Sequence, residues 1–223
     1  MKNRFLWLCS LILSIACLTA CAAPSSSEMS ANQDDAMAAA EEPLFLSDSS
    51  GNHREQLTEY GRLERLRMEI PADAPICVQA ENFSISIQEI DALAGEYTFF
   101  HSDDPDEARQ KAQDSLIAKY AVYTYALSQG CQVEDATLDA LIADEQDSDE
   151  MNPSDFKIFL KGFDADASLY WSLRREDLRM YQTIDLFKET CRSSYSDETI
   201  PFETYYADLV AGIIESEDIR IVS

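Results

Sequence analysis

The chain has 223 residues, of which 17 are Lys or Arg and 42 are Asp or Glu, for a formal charge of −25 at neutral pH. Phosphate backbones and anionic lipid surfaces are held by clustered cations, so this balance excludes a nucleic-acid partner and electrostatic docking on acidic lipid. The length suffices for one good hydrophobic core or two small ones.

Lys2 and Arg4 precede an apolar run from Phe5 to Cys17. The run is shorter than the roughly 20 apolar residues of a membrane-spanning helix and suits the centre of a secretory signal peptide. It closes in Leu18-Thr19-Ala20-Cys21, which resembles a bacterial lipobox. The resemblance implies cleavage between Ala20 and Cys21 and diacylglycerol attached to the Cys21 thiol. The chain is then expected to be lipid-anchored on the extracytoplasmic face of a bacterial cell membrane. Two acyl chains, at about 0.8 kcal/mol per buried methylene, make a durable anchor. Loss of residues 1–20 leaves 15 basic against 42 acidic residues, a formal charge of −27.

Residues 21–70 read as a disordered tether rich in Ala, Ser, Asp and Glu. Its only large apolar run is Pro43-Leu44-Phe45-Leu46. A coil of this length lets a domain float some tens of ångströms from the lipid. Within it, "QLTEYGRLERLRM" (56–68) hints at a short helix. The folded domain is expected over 71–223.

"ICVQAENFSIS" reads as two short strands around Ala80-Glu81-Asn82. Ser86 and Glu89 form a capping box that opens a helix from Ile87 to about Phe99. Asp104 caps the next helix, with Pro105 at its first position and Asp106 and Glu107 at the positive end of the dipole. Ala108, Ala112, Leu116, Tyr120, Tyr123 and Leu127 share one face of it, and Gly130 stops it. "VEDATLDALIADEQ" predicts a short helix. "NPSDFKIFLKG" predicts another, with Asn152 as cap, Pro153 at the first position and Gly162 as stop. From Ala167 a longer helix lays Tyr170, Leu173, Met180, Ile184 and Phe187 close to one face, widened by Trp171, Leu178 and Tyr181. Pro201 opens a last helix carrying Phe202, Tyr205, Leu209 and Ile213. "DIRIV" alternates like a terminal strand, placed to pair with the hairpin. The fold class is therefore mostly α, with a small β hairpin and a closing C-terminal strand.

After cleavage the cysteines are Cys21, Cys77, Cys131 and Cys191. Without CxxC or regular spacing they make neither a disulfide framework nor a zinc site, and one disulfide among the last three stays open. The chain carries no GxSxG, HExxH, P-loop or dinucleotide-binding glycine turn. "DEQDSDEMNPSDF" lacks the glycine and alternating oxygen ligands of a calcium loop, and "HSDDPDE" is explained by a helix cap and first turn. Asn82-Phe83-Ser84 matches a glycosylation sequon, which the bacterial lipobox discounts. Neither enzymatic activity, cofactor nor metal is expected, and the acids read as solvated helix faces.

The stretches "VQAENFSISIQEID", "ALSQGCQVEDATLDALI", "DFKIFLKGF" and "SLYWSLRREDLRMYQTIDLF" resemble the trigger-factor-like peptide-binding region of the SurA and PrsA type of extracytoplasmic foldase lipoprotein. The resemblance covers about residues 75–190, with the last helix and strand as the closing piece. It implies an orthogonally packed helical domain and a chaperone-like holdase for unfolded or exported polypeptides. In complete foldases a parvulin prolyl isomerase sits between the long helix and the closing one. Here only "TCRSSYSDET" lies between them, so no isomerase activity is expected. The aromatic residues are the candidates for a peptide groove: Phe99, Tyr123, Phe156, Phe159, Phe163, Tyr170 and Trp171, with Trp171 and Phe159 foremost. A groove of this kind needs adaptable apolar surface and no catalytic group. The alternative is a scaffold or assembly lipoprotein that offers the same surface to one folded partner.

Overall fold

The computed structural model describes residues 52–101, 104–147, 153–196 and 199–222. The signal peptide, Ala20 and Cys21 of the lipobox, the chain up to residue 51 and the cap residue Asn152 lie outside the described residues. Among those described, the order is α1 (Asn52–Met68), β1 (Ile76–Gln79), β2 (Ser84–Ser86), α2 (Ile87–His101), α3 (Pro105–Ser128), α4 (Asp135–Asp147), α5 (Pro153–Phe163), α6 (Ala167–Ser194), α7 (Phe202–Ser216) and β3 (Arg220–Ile221). The fold is mostly α, with one small antiparallel sheet.

Local signals form as their chemistry requires. The Ala80 amide donates to the Phe83 carbonyl and closes the hairpin turn, and Val78 pairs with Ile85. The Ser86 amide donates to Glu89 Oε2 at 3.0 Å, and the Glu89 amide donates to Ser86 Oγ at 3.1 Å, which completes the capping box. The Asp104 carboxylate accepts from the amides of Asp106 and Glu107. Gly130 ends α3 at φ 79°, in the left-handed region where a side chain is strained. The terminal strand does pair with the hairpin: β3 lies antiparallel to β1, with Ile221 opposite Val78, in a sheet of order β2-β1-β3.

The main core lies between the sheet, α2, α3, α6 and α7, and includes Val78, Ile85, Ile90, Leu116, Phe187 and Ile213. The helix α3 contacts α2 on one side and α6 and α7 on another. It therefore buries Ile117, Ala118 and Val122 as well as the expected Ala108, Ala112 and Leu116, while Leu127 at its end stays exposed. Runs of alanine let these helices approach closely. A smaller cluster of Val133, Leu138 and Leu178 seats α4 on α6. Cys77, Cys131 and Cys191 are free thiols.

Two expectations are corrected here. Residues 52–68 are not tether. They form α1, which packs against α5, α2 and α6 and buries Leu57 and Leu63. The folded domain thus includes residues 52–68 as well as the expected 71–223. Its apolar period is masked in the sequence because charged residues occupy part of the inward face. The end of α1 is tied down by Gln88, whose side-chain amide donates to the carbonyls of Leu66 and Glu69. Gly162 does not stop its helix. It lies inside α5 where α1 crosses, and a Cβ there would overlap the Thr58 carbonyl. On α1 the partner glycine is Gly61, where a Cβ would overlap the Phe159 carbonyl. The two helices meet backbone to backbone, and only glycine leaves room for that.

Candidate functional site

In α5, Phe156, Phe159 and Phe163 are spaced three and four apart, which puts them on one side of the helix. The first turn of α6 is capped by Asp166, whose carboxylate accepts from the Leu169 amide. It brings Tyr170 and Trp171 against that stripe. Phe156 lies 5.6 Å from both Tyr170 and Trp171, and Phe159 lies 5.1 Å from Tyr170, measured between ring centroids. From the other side α1 lays Tyr60 on Phe159 at 5.4 Å, and Tyr60 meets Phe100 at 5.3 Å. Phe99 stacks edge-on against Phe100 at 4.9 Å. Offset and edge-to-face pairs at these separations are favourable beyond their buried area.

Five of the seven candidate groove residues therefore form one cluster, and Phe99 joins it through Phe100 and Tyr60. Tyr123 does not join. It packs, half-buried, against the main core. Burial sorts the remainder. Phe159 is 1% exposed and Phe163 is fully buried beneath α1. The reading of these two as groove contacts is corrected: with α1 docked they are core, and Phe159, one of the two foremost candidates, has no surface to offer. Phe156, Tyr170 and Trp171 are half-buried and form the open edge of the cluster, and Phe99 is 36% exposed at the end of α2.

Beside the aromatic cluster is a buried ionic cluster that joins α1, α2, α3, α4 and α6. Asp177 is its centre. Its carboxylate accepts from Arg67 Nη1 at 2.9 Å and Nη2 at 3.2 Å and from Arg174 Nη1 at 3.0 Å, with Lys119 Nζ at 3.6 Å. Arg67 Nη2 also donates to Glu64 at 2.9 Å, and Arg174 Nη2 to Glu145 at 2.8 Å. Burial acts to raise the Asp177 carboxyl, but Arg67, Lys119 and Arg174 together outweigh it and hold the group well below the usual carboxylate range. Glu96 goes the other way. Desolvation, and then the negative charge of Glu64, push its carboxyl from 4.5 up to about 8 against the pull of Arg67. Its Oε1 is buried without a hydrogen-bond partner, and Arg67 Nε is 3.5 Å away.

The reading of the acids as solvated helix faces is corrected for Glu64, Glu96 and Asp177, which lie buried beside Arg67, Lys119 and Arg174. One signal was present: Lys119 interrupts the apolar run "SLIAKYAVY" and Glu96 the run "ALAGEYTFF". A charge inside a core-facing stripe needs a partner. Nothing local names that partner, which for Arg67 lies 110 residues away. Closed off and mutually paired, the cluster is suited to orienting α1 on the fold.

The Glu96 carboxyl gives a pH dependence of defined sign. A folded pKa raised to about 8 means that the folded state holds a proton the unfolded state releases near 4.5. The resulting stabilisation is fully present below that lower value and is lost as pH rises through 8. One proton sets a maximum slope of about 1.4 kcal/mol per pH unit. The difference in urea midpoint between Glu96→Gln and wild type is expected to grow in favour of the variant from pH 5 to 9. A difference that stays flat over this range would remove the protonated Glu96.

Among the described residues no group of three or more His, Cys, Asp or Glu side chains is placed to hold a metal ion, and no helix is long and apolar enough to cross a membrane. No family model, curated protein or solved structure matches the chain.

Proposed function

We propose that the chain is a lipid-anchored extracytoplasmic lipoprotein of SurA- and PrsA-like type whose helical domain acts as a holdase for unfolded or exported polypeptides, without isomerase or other covalent chemistry. The observation that carries the reading is the half-buried aromatic edge of Phe156, Tyr170 and Trp171, backed by the buried rings of Phe159 and Phe163. A rigid backing with a partly open rim offers apolar side chains a contact surface at low entropic cost. The short link between α6 and α7, residues 195–201, leaves no space there for a further domain.

The domain should suppress aggregation of several unrelated denatured proteins at near-stoichiometric ratios. Trp171→Ala is expected to weaken binding of an unfolded client roughly tenfold, as loss of an aromatic anchor does. Its cost in stability should be about 1–2 kcal/mol, against about 3–5 kcal/mol for Phe159→Ala in the core. Client titration by anisotropy beside urea melts measures both. A Trp171→Ala protein that binds clients as wild type does would remove this surface from the function. A wild type that leaves every denatured substrate to aggregate, yet captures one folded membrane protein, would replace the holdase with a scaffold.

Anchoring is tested separately. Cys21→Ser should leave the precursor at full length and without incorporated labelled fatty acid. Processing and membrane partition unchanged from wild type would overturn the lipobox.

A further inference from the structure

The sites above use no cysteine, yet two of the three free thiols lie together. Cys131 is 7% exposed and Cys191 is 8% exposed, and both belong to the main core. Their meeting follows from the register of two helices. The helices α3 and α6 pack side by side and run in the same direction. Lys119 of α3 places its Nζ 3.6 Å from the Asp177 carboxylate and 3.5 Å from the Tyr181 hydroxyl of α6. Further along both helices, Tyr125 meets Phe187 at 5.5 Å between ring centroids. In these pairs the α6 residue stands 58 to 62 positions after its α3 partner, and Cys191 stands 60 after Cys131.

Each cysteine is held to that line. Cys131 follows the left-handed Gly130, and its amide donates to the Ala126 carbonyl at 3.0 Å, which folds the chain back onto the end of α3. On α6, Ile184, Phe187 and Cys191 are spaced three and four apart and all are buried, so Cys191 lies on the face turned to the core. Facing positions on helices whose axes pack about 8–10 Å apart fall within the roughly 4.4–6.8 Å Cα separation of a disulfide. The electrostatics agree: burial raises the Cys191 thiol above its usual value, and the Cys131 thiol raises it further. Cys77 is half-buried in β1, outside this register.

We propose that Cys131 and Cys191 are a disulfide-forming pair that, when oxidised, locks the end of α3 to the last turns of α6. The oxidant is a disulfide, RSSR, of a small thiol or of a protein. One cysteine thiolate attacks it, forming a mixed disulfide and releasing RS⁻. The second thiolate attacks the chain's own sulfur in that mixed bond and releases the other RS⁻. The two cysteine protons pass to the two leaving thiolates, so the pair is oxidised by two electrons and RSSR is reduced to two RSH. Burial slows this exchange once the helices are docked, so the bond forms as the chain folds and then persists. The loop it closes holds α4, α5 and nearly all of α6, and with them Phe156, Tyr170 and Trp171 of the aromatic edge. The bond thus fixes the base of that arm to the main core. The pairing rests on neither the lipobox nor the holdase reading.

The chain from residue 21 onward, with Cys21→Ser, keeps every described residue and serves as the test, refolded from urea with oxidised glutathione. Trypsin cuts after Arg109 and Lys157 and so separates the three cysteines. Unreduced digests should contain the Cys131 and Cys191 peptides as one linked species, from a protein that runs as a monomer. The urea midpoint of the oxidised chain should lie about 1–2 M above that of the reduced chain, as closure of a long loop predicts. Cys131→Ser or Cys191→Ser should abolish that rise, and Cys77→Ser should keep it. Links through Cys77 or between two chains would overturn the proposal. So would Cys131 and Cys191 thiols that stay free or carry glutathione alone, or a midpoint that falls on oxidation, since the two helices would then not face each other at these positions.

Discussion

Gly162→Ala is expected to destabilise the fold by about 2–4 kcal/mol, although alanine is the better helix former by about 1 kcal/mol. The added methyl would overlap the Thr58 carbonyl, and it would meet backbone, which cannot swing aside as a side-chain tip does. Overpacking of a fitted contact costs about 1–3 kcal/mol by itself. Relief requires α1 to lift away, and that movement uncovers Phe159 and Phe163 and draws Arg67 off Asp177. Gly212 provides the control. It lies in α7 with nothing within 4 Å of an added Cβ, so Gly212→Ala should stabilise by up to about 1 kcal/mol. Urea midpoints that move in opposite directions for the two substitutions identify Gly162 as a crossing residue. Stabilisation by both would mean that α1 does not dock at this distance.

Asp177→Asn is expected to cost about 3–5 kcal/mol, because it keeps the shape of the side chain but leaves Arg67, Arg174 and Lys119 buried around a neutral amide. The loss should fall toward the lower figure as pH rises. Without the Asp177 charge, one of the influences that holds the proton on Glu96 is gone, and the ionised Glu96 then replaces it as counterion to Arg67. Wild type is expected to show the opposite edge at low pH. The depressed Asp177 carboxyl contributes stability above the ordinary carboxylate range that is lost as acid protonates it in the fold. Urea melts of Asp177→Asn, Arg67→Met and the double variant measure the coupling, and the double should cost well under the sum of the singles. Additive losses would mean that Arg67 and Asp177 do not share one buried cluster.

The extent of the domain changes the choice of fragment for any binding study. A fragment that starts at residue 70 lacks α1 and bares Phe159 and Phe163, so its apolar surface would mimic client capture. The chain from residue 52 retains the cover.

The caps at Ser86 and Asp104, the hairpin around Ala80-Glu81-Asn82, the stop at Gly130 and the order of helices after residue 76 follow from the sequence by itself, because each depends on residues within a turn of one another. The aromatic cluster was legible as a set of residues for the same reason, since three-and-four spacing puts Phe156, Phe159 and Phe163 on one stripe. Which of those rings faces solvent was not. Phe159 is buried because α1, about 100 residues earlier in the chain, lies across α5, while Trp171 stays half-exposed beside Phe156 and Tyr170. The same crossing turned Gly162 from a terminator into a contact. It also turned the acids Glu64, Glu96 and Asp177 from a solvated face into a buried network around Arg67. Glycine and charge carry no fixed meaning in a local window: their role is set by what packs against them, and tertiary structure alone decides that.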